Sequence, residues 1–175
     1  MKNILIFILF FSAVLFSQEK TELEKFSVKT GIVKIMGYTD IGIVAANPER
    51  DYRDYVSFQV RILGTPNNPE STKGILIKVA DFQGNAGRAF VDENEIDDLI
   101  AGIEYISAVT KDITRLANFE IDYSTLGDFE VTVYNKSDGS LGVSIQAGIR
   151  STRQSLDSLP KILEKIKEAK AILDS

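Results

Sequence analysis

The sequence contains no cysteine, no histidine and no tryptophan, and only 2 Met and 4 Pro. Without cysteine there is no disulfide framework, no thiol nucleophile, no thiolate metal site and no lipid-bearing lipoprotein cysteine. Without histidine there is no Ser-His-Asp triad, no imidazole general base and no histidine zinc site. Positive charge is also in deficit, with 20 Lys+Arg against 25 Asp+Glu. No run of Lys or Arg offsets the deficit, and an acidic surface repels phosphate backbones and anionic headgroups. Nucleic acid is therefore disfavoured as a partner. What is present is the composition of a folded domain. At 175 residues, 44% hydrophobic and 26% charged, the chain is too apolar to stay disordered. Its length suits one domain that buries roughly two-thirds of its unfolded surface.

The first residues differ from the rest. Lys2 precedes an unbroken apolar run, Ile4 to Phe11, then Ser12-Ala13 and Val14 to Gln18, with the first acid at Glu19. A positive start, an apolar centre and a small residue near the cut are the order of a signal peptide. Ile4 to Phe16 is shorter than the ~20 residues a bilayer span needs, which argues against a retained anchor. The sequence thus predicts a bacterial export signal over 1–18, cut after Ser17 or Gln18, and a single α+β domain over 19–175 in the periplasm or outside the cell. Removing Lys2 leaves 19 basic against 25 acidic residues.

Residues 19–25 read as a charged lead-in, and strand-like runs follow. Phe26–Met36 is rich in Val, Ile and Thr. Ile41–Ala45 comes after a turn candidate at Gly37-Tyr38-Thr39-Asp40. Over Tyr55–Leu63, Val56, Phe58, Val60 and Ile62 alternate with Ser57, Gln59 and Arg61, the period-two pattern of a half-solvated antiparallel strand. Gly64 to Pro69 reads as a loop. Gly74–Phe82 and Ala86–Val91 are joined by the hairpin dipeptide Gly84-Asn85. The spacing then turns helical, with Ile96, Leu99, Ile103, Ile106, Ile113 and Leu116 on one stripe and Asp92 and Glu95 placed as a capping box. Strands return at Phe119–Ser124, Phe129–Tyr134 and Leu141–Ala147. A last helix carries Leu159, Ile162, Leu163, Ile166, Ala169 and Leu173 on one face, with Ser158 placed as its cap. The expected fold is one curved, mainly antiparallel sheet of about eight strands with two amphipathic helices. A strand–turn–strand–cap–helix order at 74–109 recurs at 129–173, either as a duplication or as the ordinary grammar of a sheet packed on helices.

Phe90 to Ile100, Ile103-Glu104-Tyr105-Ile106, Phe119-Glu120, Gly127 to Val131 and Leu156–Lys161 together resemble a family of small exported bacterial proteins of unknown function. That resemblance implies no activity and no site residue. The strands-then-helix order given twice is similar to the Whirly and PUR-type single-strand nucleic-acid-binding folds, in topology only.

Several groups of residues invite a chemical reading. Ser158-Leu159-Pro160-Lys161, Ser137-Asp138-Gly139 and Lys29-Thr30-Gly31 imitate the S-x-x-K, S-D-N and K-T-G set of penicillin-binding enzymes and serine β-lactamases. They run in reversed order in a chain too short for that architecture, and each suits a local job as helix cap, hairpin turn or strand end. Asp92, Glu93, Glu95, Asp97 and Asp98 form the densest acidic cluster. They lack the calcium-loop pattern and suit a helix N-terminus, where each charge gains ~0.3–1 kcal/mol. Asn135-Lys136-Ser137 has the form of a glycosylation sequon, relevant only to a eukaryotic secretory route. Glu120 and Asp122 share a strand face, with Glu130 opposite, which is the raw material of a two-carboxylate hydrolase. Tyr55 and Tyr134 fall on the expected polar faces of their strands, and Tyr52 sits beside Arg50, Arg53 and Asp54, a mixture of aromatic and guanidinium groups that binding surfaces favour, although aromatic residues also pack across strands.

The reading that follows is a non-enzymatic exported module that binds a protein or a small apolar ligand through Tyr52, Arg53, Tyr55 and Tyr134, with no cofactor and no metal. The alternatives are a small carboxylate-dependent hydrolase and a relative of the single-strand nucleic-acid-binding folds.

Overall fold

The computed structural model describes residues 19–47 and 51–175, with side chains over 19–46 and 54–175. The expected export signal, 1–18, lies outside the described residues. The order of elements is helix α1 (Glu22–Val28), strands β1 (Ile35–Asn47), β2 (Asp51–Thr65), β3 (Asn68–Ala80) and β4 (Ala86–Asp92), and helix α2 (Ile96–Ser107). Strands β5 (Glu120–Ser124), β6 (Phe129–Asn135), β7 (Leu141–Ala147) and β8 (Arg150–Gln154) and helix α3 (Ser158–Leu173) complete it. The α+β class stands. The single eight-stranded sheet does not: the strands form two four-stranded antiparallel meanders, β1-β2-β3-β4 and β5-β6-β7-β8, each followed by a helix. The recurring order therefore has four strands before each helix rather than two, and among the described residues there are three α-helices rather than two.

The inner faces of both sheets meet in one core. Val56, Phe58, Val60, Ile75, Ile77, Val79, Ala89 and Val91 come from the first sheet, and Phe129, Val131, Val133, Val143, Ile145 and Ala147 from the second. Helix α2 adds Leu99 and Ile103, and α3 adds Ile162 and Ile166, all fully buried. Full burial of such a side chain is worth about 1.5–3 kcal/mol. The sheets approach to backbone contact where glycine allows it. A Cβ on Gly87 of β4 would lie 2.0 Å from the Ala147 carbonyl oxygen, and one on Gly127 would lie 1.9 Å from that of Phe90.

Four local readings are corrected. Residues 22–28 form a helix in place of a lead-in and the start of a strand. The Thr21 hydroxyl accepts the Glu24 N–H at 3.1 Å, and Leu23 is fully buried beside Gly74. Seven residues are too few for a helix to hold alone, so tertiary anchoring overrides the strand propensity of Phe26 and Val28. Gly37 to Asp40 is no turn: β1 runs straight through it, with a register shift between Asp40 and Gly42. The loop expected over Gly64 to Pro69 narrows to a two-residue turn at Pro66-Asn67, with Thr65 already paired to Asn68. Helix α2 ends at Ser107, so Ile113 and Leu116 leave the apolar stripe and stand exposed.

Candidate functional site

Alternation fixes which side chains look outward. In the second sheet Val131, Val133, Val143 and Ile145 point into the core. Glu120 and Asp122 on β5, Thr132 and Tyr134 on β6, Ser144 on β7 and Arg153 on β8 therefore share the outer face. Register places Tyr134 opposite Glu120 and Gly142, and Ser144 opposite Arg153.

Three adjoining depressions run along β8, and exposed Arg153 borders all of them. One, of about 330 Å³, also has Glu120 and Tyr134 in its walls. A second, of about 460 Å³, lies between Tyr134 and the β6–β7 hairpin at Lys136 and Asp138. The largest, of about 520 Å³, lies between Asp54, Asp81 and Arg150, with Phe82 and Ile149 on its rim. Phe82 is 69% exposed and Ile149 90% exposed, each within a hairpin turn. Together these depressions make a groove with two guanidinium groups, one tyrosine and two protruding apolar side chains.

The strand that carries the groove is anchored through polar side chains on its inner face. The Thr152 hydroxyl donates to the Asp54 carboxylate, which joins β8 to β2, and the Gln154 side-chain amide donates to Thr152 Oγ1 at 3.4 Å. Gln154 is itself buried, and its Oε1 has no hydrogen-bond partner among the described residues. Asp81 accepts the backbone N–H groups of Gln83 and Asn85, both at 2.9 Å, and lies 3.6 Å from Arg150. Desolvation is the largest single influence on its carboxyl and pushes the pKa up. The Asn85 and Gln83 donors and the Arg150 charge together outweigh it and hold the group below its ordinary value.

Of the residues singled out from sequence, Tyr134 lies in this groove. Tyr55 does not: it is half-buried on the outer face of the first sheet, between Ala45 and Ala80. Tyr52 and Arg53 belong to β2, and their side chains fall outside the described residues. Strand pairing therefore separates Tyr55 from Tyr134. Sequence reasoning missed Arg153, Arg150, Phe82 and Ile149. The signal for β8 was the alternation Ser151-Thr152-Arg153-Gln154 after the Gly148-Ile149 turn, obscured because its inward residues are polar.

Glu120, Asp122 and Glu130 share the outer face of the second sheet. Glu120 and Asp122 are exposed, and Glu130 pairs across from Ser124, accepting hydroxyls of Ser124 at 3.2 Å and Thr132 at 3.1 Å. The depression beside Glu120 includes neither Asp122 nor Glu130. Ser158 Oγ donates to the Ser155 carbonyl at 2.7 Å, while Lys161 is exposed. Ser158 is also the first residue of α3 rather than its cap, a position taken by Asp157. In the acidic cluster, Glu95 accepts the Asp92 N–H at 3.3 Å and the Leu126 N–H at 2.9 Å. Asp97 lies 3.7 Å from Lys170. Among the described residues no group of three or more acids is placed to hold a metal ion. The Asn135 side chain bonds to the backbone of Ala117 and Phe119. Among the described residues no helix is long and apolar enough to cross a membrane.

No protein-family model, no curated protein and no solved structure matches this chain.

Proposed function

We propose that this chain is a non-enzymatic binding module, exported to the periplasm or cell envelope, whose contact surface is the groove along β8. The observation that carries the reading is the composition of that groove: Arg153 at the junction of three depressions, Tyr134 beside it, and Phe82 and Ile149 standing out of the surface at one end. Interface cores favour aromatic side chains and Arg over Lys and Glu, and large exposed apolar side chains rimmed by polar groups mark contact sites. A protein partner fits better than a small apolar ligand, because charged side chains line all three depressions. Export rests on the order of residues 1–18.

Arg153→Ala and Ile149→Ser test the reading. Each should reduce recovery of the partner from envelope extract at least tenfold while leaving the melting temperature within about 2 °C of the parent, since both side chains are exposed. Equal recovery by parent and variants would remove the groove from the account.

A further inference from the structure

The first sheet ends in an edge of unusual character. Strand β1 pairs only with β2, and its other side has no strand partner among the described residues. Natural edges are blunted by Lys, Pro, bulges or brevity. The register shift of β1 comes only after Asp40, and the six residues before it, Ile35-Met36-Gly37-Tyr38-Thr39-Asp40, include neither Lys nor Pro. All six are exposed, Met36 at 48% and Tyr38 at 64%. Met36 and Tyr38 lie on the outer face with Arg61, whose guanidinium sits 5.3 Å from the Tyr38 ring centre and reaches the Met36 sulfur. The segment is exposed, carries one charge, at Asp40, and has a free strand edge among the described residues.

We infer that this edge pairs with the same edge of a second copy, antiparallel about Gly37, joining two four-stranded sheets into one of eight strands. The sequence is complementary to itself in that register. Lys34 falls opposite Asp40 of the second copy, Ile35 opposite Thr39 and Met36 opposite Tyr38, each twice because of the two-fold axis. Opposite charges and a sulfur–aromatic pair are favourable cross-strand neighbours. Gly37, which lacks a side chain, faces itself at the axis. In the single chain Lys34 Nζ bonds to the Ser27 carbonyl of α1 at 2.7 Å and Asp40 accepts from Gln59 of β2, contacts that pairing would exchange for the Lys34–Asp40 match. A shift of one residue in either direction loses the Lys34–Asp40 match, which is why a second copy suits this edge better than an arbitrary strand.

The chain has no cysteine, so a single introduced thiol reports the register. A Cβ at Gly37 meets nothing closer than the Ile62 carbonyl oxygen at 3.7 Å, and Gly37→Cys is tolerated. Directly opposed residues lie within disulfide reach, whereas Thr39 and its copy would be about 13 Å apart. Full-length chain carrying Gly37→Cys should become a covalent dimer under mild oxidation, and chain carrying Thr39→Cys should not. Sedimentation of the parent should show mass doubling with concentration. Lys34→Asp should abolish the doubling, and adding Asp40→Lys should restore it, with unchanged circular dichroism confirming the fold. A parent that stays monomeric across the concentration series would overturn the inference. So would equal linkage through positions 37 and 39, or a double charge variant that stays monomeric. Groove variants at Arg153 and Ile149 should leave the dimer intact, so the two proposals fail separately.

Discussion

The carboxylate of Asp92 accepts the backbone N–H of Leu23 at 3.0 Å across 69 positions of chain, and that of Glu22 at 2.6 Å. One acid at the end of β4 thus receives the free amides of α1, while Glu95 returns to the Asp92 amide. Asp92→Ala should cost about 1.5–3 kcal/mol, the range for hydrogen bonds to a charged group, and should release α1 first. Hydrogen exchange at the Leu23 amide is the check: protection should fall sharply in Asp92→Ala and by less in Asp92→Asn, which keeps one acceptor oxygen.

The contact between the sheets makes a second prediction. Gly87→Ala sets a methyl group against the Ala147 carbonyl, with no flexible side chain to move aside. The expected cost is about 3 kcal/mol, or about 10 °C in melting temperature at this chain length. Gly84→Ala serves as the comparison, because Gly84 has φ of +82° with open space around it. Its cost should be only the left-handed penalty, about 1 kcal/mol. Thermal melts of the two variants distinguish a steric seam from a general intolerance of alanine.

Acid should act through Asp81. Folding lowers its pKa, so the unfolded chain takes up the proton more readily and protonation favours unfolding. Its stabilising contribution is therefore complete above the ordinary value of 3.8 and is lost as pH falls through the lowered folded value. Carboxyl NMR titration should place the Asp81 midpoint below 3.8. Asn85→Ala, which removes a hydrogen bond to the carboxylate, should raise the midpoint more than Arg150→Ala, which removes a weaker charge interaction.

Much of this molecule was legible where one face is apolar and the other polar. Strand β7 and the buried face of α3 follow that pattern residue by residue, because a period of two or 3.6 survives whenever burial is one-sided. Legibility failed where distant residues decide. Helix α1 depends on Asp92, and no local pattern reveals an acceptor 69 residues away. Strand β8 turns Thr152 and Gln154 inward, so it has no apolar period, and the groove residue Arg153 was lost with it. Tyr134 was found because β6 alternates clearly. Tyr55 was read equally well as outward-facing, but strand order placed it on the other sheet.

The most direct test of groove binding is site-specific photocrosslinking in intact cells, with the probe at Ile149 and, as control, at Tyr105, which is 62% exposed on α2 and lines none of the three depressions. A discrete crosslinked product is expected from position 149 that disappears in the Arg153→Ala background, and none from position 105. The same product from both positions, or none from position 149, would contradict it.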